Sequence, residues 1–84
     1  KTMSTNINYL RRKKETIMES IRSEENKISQ INDSLSNIGT NHKGRRQLEK
    51  QEITLTRSLD DLRNELNSIT ALINRRLKEL EKEI

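Results

Sequence analysis

Apolar residues recur at alternating steps of four and three along the first half of the chain. With Lys14 and Glu24 included as polar members, the series runs unbroken through Met3, Ile7, Leu10, Ile17, Ile21, Ile28, Ile31, Leu35 and Ile38. A heptad repeat of this length is typical of a helix with one apolar seam. The pattern therefore predicts a helix over about residues 3–38 and argues against disorder.

The other half of the chain carries a second heptad series in a different phase. Its members are Leu48, Glu52, Leu55, Leu59, Leu62, Leu66, Ile69 and Ile73, followed by Leu77, Leu80 and Ile84. The steps of four from Ile69 to Leu77 are a stutter, which locally unwinds a supercoil. This series predicts a second helix over about residues 42–83.

The only two glycines of the chain, Gly39 and Gly44, lie between the two series. Gly39 follows the last periodic residue, where a helix end favours glycine, and Thr40 or Asn41 can cap the next helix. A connection of about residues 39–44 is short enough to favour antiparallel neighbours. We therefore predict an all-α fold in which two long helices form an antiparallel coiled-coil hairpin. The alternative is a straight parallel dimer with a hinge between the glycines.

The two series align in antiparallel register when paired residue numbers sum to 83. Every layer then joins at least one apolar residue, and the rod is about 54–60 Å long at the rise of an α-helix. The predicted coiled-coil core consists of Ile7, Leu10, Ile17, Ile21, Ile28, Ile31, Leu35, Leu48, Leu55, Leu59, Leu62, Leu66, Ile69, Ile73 and Leu80. Charged residues interrupt this core at Lys14, Glu24, Arg45, Glu52 and Arg76, where Lys14 and Glu24 are candidates for fixing the register.

Further apolar residues lie off the seam, towards the end of the hairpin where the two chain ends meet. They are Tyr9, Met18, Leu72, Leu77 and Ile84. A widened apolar stripe indicates a second neighbour, so this set is a candidate docking surface for a second copy or another helical protein. The alternative is that these side chains only broaden the seam within the hairpin. Because chains of this size rarely gain more than about 3–5 kcal/mol from one core, we expect association into a dimer or helical bundle.

Charge adds a second functional hypothesis. The 84 residues include 17 Lys and Arg against 13 Asp and Glu, for a net charge of +4. A candidate basic patch consists of Arg11, Arg12, Lys13, Lys43, Arg45, Arg46, Arg75 and Arg76. With Lys14, these side chains predict a basic module that binds nucleic acid or another acidic surface. Stacking aromatic residues, which such modules use, are missing apart from Tyr9, so this hypothesis ranks second.

The composition argues against several other classes. A chain without cysteine and with His42 as its one histidine offers no thiol nucleophile and no transition-metal ligand set. We therefore expect a non-enzymatic interaction and oligomerisation module, a scaffold or assembly subunit without cofactor, metal or small-molecule substrate. No apolar run is long enough to span a membrane. Since Lys1 is the first residue, we interpret residues 1–84 as one module cut from a longer protein, located in the cytoplasm or nucleus.

Overall fold

The computed structural model describes residues 2–83, with side chains described over residues 7–82. It contains two α-helices, α1 (Thr2–Asn37) and α2 (Arg45–Glu83), and no strand in that range. The helices pack against each other along a rod of 65 × 14 × 14 Å. The predicted all-α antiparallel hairpin is therefore confirmed. A straight chain, as in the alternative of a parallel dimer with a hinge between the glycines, would measure about 120 Å. The observed rod is 65 Å long, so that alternative does not describe this chain.

Seven residues, 38–44, connect the helices through two consecutive turns. The His42 N–H donates to the Gly39 carbonyl at 3.1 Å, and the Arg45 N–H donates to the His42 carbonyl at 3.1 Å. The Gly44 N–H donates to Nδ1 of His42 at 2.9 Å. Because these turns use the residues up to Gly44, α2 begins at Arg45. The side chain that accepts a backbone N–H just before this helix is that of His42, not Thr40 or Asn41. Neither glycine has a positive φ.

Burial along the rod is uneven. We call the end where α1 begins and α2 ends the open end, and the loop the tip. Of the six buried side chains among the described residues, Leu59 lies just on the tip side of the middle of the rod, and the other five lie in the open half: Ile7, Leu10, Ile17, Ile69 and Ile73. Towards the tip the seam residues are only half-buried: Ile28, Ile31, Leu35, Leu48 and Leu55. The tightly packed core therefore occupies the half of the rod that is farther from the loop.

One apolar cluster holds the open half together. Leu10 and Ile17 of α1 pack with Ile69 and Ile73 of α2. The half-buried seam residues packed around this cluster are Ile21, Leu62 and Leu66. Leu80, nearer the open end, is also half-buried. Burial of these side chains is the main stabilising contribution that the hairpin shows.

The charged seam residue Glu24 is accommodated at the middle of the rod. Ser58 Oγ donates a hydrogen bond of 2.8 Å to Glu24 Oε1. Ser58 directly precedes Leu59, the residue that the predicted register places opposite Glu24. The second carboxylate oxygen, Oε2, is buried and has no hydrogen-bond partner among the described residues. This layer therefore weakens the seam, because a buried polar atom without a partner costs about 1–3 kcal/mol.

Candidate interaction surfaces

The open end carries the off-seam apolar residues. Tyr9 is 62% exposed, while Met18, Leu72 and Leu77 are half-buried. Leu72 and Leu77 pack against the apolar cluster that holds the open half together, called the central cluster below. They are about 140° apart around α2, so they cover this cluster from opposite flanks. These two leucines therefore broaden the seam within the hairpin, and Tyr9 is the main apolar side chain left to solvent here. Ile84 and the side chain of Met3 lie outside the described residues.

A second large apolar side chain is exposed elsewhere on the rod. Ile53 of α2 is 54% exposed, and it lies closer to the tip than to the open end. Tyr9 and Ile53 are the large hydrophobic residues that the described chain leaves most open to solvent. Their similar exposure makes Ile53 a matched reference for the role of Tyr9.

Arg45, a member of the predicted basic patch, has a structural role at the tip. Its Nη1 donates to the carbonyl oxygen of Leu35 at 3.2 Å, and its Nε donates to Glu49 Oε1 at 3.1 Å. Leu35 lies in the last turn of α1, where backbone carbonyls lack helical partners. That turn contains no basic residue of its own. Arg45 therefore supplies, from α2, the cation that complements the C-terminal end of α1.

The rest of the basic patch is distributed around the rod. Arg76 Nη1 lies 3.7 Å from Glu79 Oε2, whereas the other members are exposed: Arg11, Arg12, Lys13, Lys43, Arg46 and Arg75. Consecutive helical residues are 100° apart, so Arg11 and Lys13 point in directions about 200° apart. Arg11 and Lys13 therefore lie on different faces of α1.

Between the described side chains of the two helices there is one ion pair, and it differs from the sequence-based expectation. We expected weak pairs of Lys13 with Glu65 and of Glu15 with Arg63. Instead Arg63 Nη2 lies 3.2 Å from Oε2 of Glu25, and no pair of Lys13 with Glu65 forms in the described part of the chain. Both members of the observed pair are about half exposed, so its contribution is about 0.2–1 kcal/mol.

A groove between the helices, which sequence reasoning missed, runs through the tip half. Its volume is about 640 Å³, and its lining contains two seam residues, Ile31 and Leu55. The remaining lining residues are polar: Lys27, Gln30, Ser34, Gln47, Lys50, Gln51 and Thr54. We call this the tip groove. Its sequence signal is the set of Gln, Ser, Thr and Lys residues near Ile31 and Leu55; Asp33, Glu49 and Glu52 of the same segments do not line it.

Among the described residues, no group of His, Cys, Asp or Glu has the geometry of a metal site. No helix between residues 2 and 83 is long and apolar enough to cross a membrane. The fold thus defines the class of the protein as an α-helical hairpin. Comparison with protein-family profiles, curated proteins and solved structures finds no match for this chain.

Proposed function

We propose that this hairpin is a non-enzymatic interaction and oligomerisation module that acts through a helical coiled coil. Its partner at the open end is a second copy of the chain, or otherwise a helix of another assembly subunit for which it serves as scaffold. The observation that carries this proposal is the thin core of a two-helix rod. Among the described side chains only six are buried, and the other seam residues are half-buried.

The open end offers what such an association would bury. Tyr9 projects into solvent from α1, at the end of the rod where Leu72 and Leu77 of α2 pack against the apolar cluster. An aromatic ring that is 62% exposed gains about 1–1.5 kcal/mol when an interface covers its apolar part. In a symmetric dimer the same ring is used twice, so its loss counts twice.

The proposal is tested with Tyr9→Ser and Ile53→Ser as a matched pair. Light scattering and sedimentation velocity over a protein concentration series give the mass and the dimer dissociation constant. We expect Tyr9→Ser to raise that constant by about 30- to 150-fold, since about 1.4 kcal/mol is tenfold in affinity, and Ile53→Ser to leave it unchanged. Circular dichroism at 222 nm should show equal helix content in both variants, because both side chains are mostly exposed.

Two results would contradict the proposal. If the wild-type chain remained monomeric at every concentration, the proposed self-association would be wrong. If the two substitutions had equal effects on the dissociation constant, the open end would not be the site of association.

The basic-module alternative makes a different prediction. If the chain acts on nucleic acid, its affinity for duplex DNA or RNA should fall steeply with salt. That affinity should also be lost on Arg11→Glu, Arg12→Glu and Lys13→Glu together. Arg45 and Arg76 contribute less to this alternative, because each already lies beside an acid of its own helix. A cytoplasmic or nuclear setting, in keeping with a cysteine-free chain, stays a prediction.

A further inference from the structure

The tip groove combines an apolar floor with polar walls that carry two lysines and no acid. Ile31 and Leu55, one from each helix, are half-buried seam residues that remain open to the groove. Glutamine, serine and threonine side chains form the walls, and they can exchange hydrogen bonds with polar side chains that approach the floor. A surface of this kind suits a partner segment whose apolar side chain contacts the floor while its neighbouring polar residues contact the walls.

The size of the groove sets the kind of occupant. On α1 the lining runs from Lys27 to Ser34, which is about 10 Å or two helical turns. Two turns of an incoming helix present apolar residues at positions i, i+3 or i+4, and i+7 on one face. The open groove over half-buried Ile31 and Leu55 therefore accepts the ridge of a third helix.

Charge selects which helix fits. Lys27 and Lys50 are the charged residues of the groove, one on each helix, and no acid lines it. Of the nearby acids, Glu24 is hydrogen-bonded to Ser58 and Glu25 is paired with Arg63. Glu52, which the register places opposite Ile31, is half-buried on the seam and does not line the groove. We propose that the tip groove docks an amphipathic helix of a partner protein whose apolar ridge is flanked on both sides by Asp or Glu. This inference rests on the proposed interaction role and assigns it a second surface, distinct from the open end.

Two other occupants fit the groove less well. A second copy packed symmetrically on this face would bring Lys27 and Lys50 of both copies together, which is unfavourable. Nucleic acid would find the two lysines but no arginine and no aromatic residue in the lining, and it would leave the apolar floor uncovered. An acidic amphipathic helix would both pair with the two lysines and cover the apolar floor.

The probe for this proposal is a synthetic helical peptide of about 28 residues with Leu at positions a and d and Glu at e and g. Mutual repulsion of the glutamates keeps the peptide from pairing with itself. A control peptide has Lys in place of every Glu. Binding is measured by fluorescence anisotropy, and the contact surface is mapped by backbone amide shifts in a ¹⁵N-labelled hairpin. We expect the acidic peptide to shift residues 27–34 and 47–55, and the basic peptide to bind at least tenfold more weakly.

A matched pair of charge reversals tests the role of the lysines. Lys27→Glu with Lys50→Glu changes the groove, whereas Arg57→Glu with Lys78→Glu makes the same change in charge at exposed positions outside it. We expect the groove variant to bind the acidic peptide about tenfold more weakly, a loss of 1.4 kcal/mol. The control variant should change the affinity less than twofold.

The outcomes separate this inference from the proposed function. Equal affinity of the two variants, equal affinity for both peptides, or shifts confined to the open end would overturn the groove assignment. Displacement of the peptide by duplex DNA, with stronger DNA binding in the same groove, would overturn it in favour of nucleic acid. The mass of the hairpin alone, measured by light scattering without peptide, reports on self-association whichever of these results is found.

Discussion

Removal of the Arg45 side chain should weaken the contact between the two helices at the tip and so destabilise the hairpin. Its guanidinium bonds the Leu35 carbonyl of α1 and the Glu49 carboxylate of α2 and is 30% exposed. A hydrogen bond from a charged donor contributes about 1.5–3 kcal/mol, and an exposed i,i+4 pair contributes about 0.3–0.5 kcal/mol. Allowing for the partial exposure, we expect Arg45→Ala to reduce the free energy of unfolding by about 1.5 kcal/mol. For a chain of this length the melting temperature should fall by about 6–12 °C.

The neighbouring arginine provides the control. Arg46 is exposed and has no hydrogen bond or ion pair with the described side chains, so Arg46→Ala should cost less than about 0.5 kcal/mol. Urea unfolding followed by circular dichroism at 222 nm, at one fixed protein concentration, measures both variants. Arg45→Lys should recover part of the loss, because an ammonium cannot reach both acceptors with fork geometry. If Arg46→Ala costs as much as Arg45→Ala, net charge and not the bond to Leu35 would be the cause, and the reasoning would be wrong.

Three further predictions concern the seam and the loop. Glu24→Leu should raise the free energy of unfolding by about 1–2 kcal/mol in urea melts, because it removes an unpaired buried oxygen and packs apolar surface opposite Leu59. Gly39→Ala should raise the melting temperature by calorimetry, since its Cβ would meet nothing within 4 Å, whereas Gly44→Ala should gain less because its Cβ would lie 3.3 Å from the neighbouring imidazole ring. Ile21→Asp should abolish the helical signal in circular dichroism, because it places a carboxylate against the central cluster.

Controls for these three predictions use the same sites. Glu24→Gln separates the loss of charge from the gain of packing, and a destabilised Glu24→Leu would mean that the carboxylate is well solvated. Equal gains at Gly39 and Gly44 would show that the ring of His42 moves aside without cost. A helical Ile21→Asp chain would contradict the assigned core, whereas the conservative change Ile21→Leu should cost less than about 1.5 kcal/mol.

The heptad spacing predicted both helices, and the short connection between them predicted their antiparallel arrangement. The reason is that burial in a two-helix rod depends mainly on the angle at which each residue projects from its helix, and the spacing of apolar residues in the sequence shows that angle directly. Ser58 lies off the heptad series, yet it donates to Glu24, because the hydroxyl of a flanking position can reach across the seam. Such a contact depends on side-chain length and rotamer, which periodicity does not encode.

Basic residues were harder to interpret from sequence. Arg45 and Arg46 are adjacent and chemically identical, but only Arg45 reaches the carbonyl of Leu35. That difference follows from where α2 begins, and the start of α2 was misplaced by three residues because the two turns through His42 have no strong sequence signal. The tip groove was missed for a related reason. Heptad spacing marks Ile31 and Leu55 as core residues but does not reveal how closely their layers pack.

Uneven packing along the rod has a consequence for the order of folding. Contacts beside the loop close short chain segments at low entropic cost, yet the side chains there are only half-buried. The contact of Leu10 with Ile73 closes about 60 residues, which costs about 1.6 kcal/mol more than a loop of about ten. If the helices paired first beside the loop, they would therefore bury little apolar surface until the residues at the open end came into contact. We expect the chain to fold in one cooperative step, with a transition state in which the ends distant in sequence are already joined.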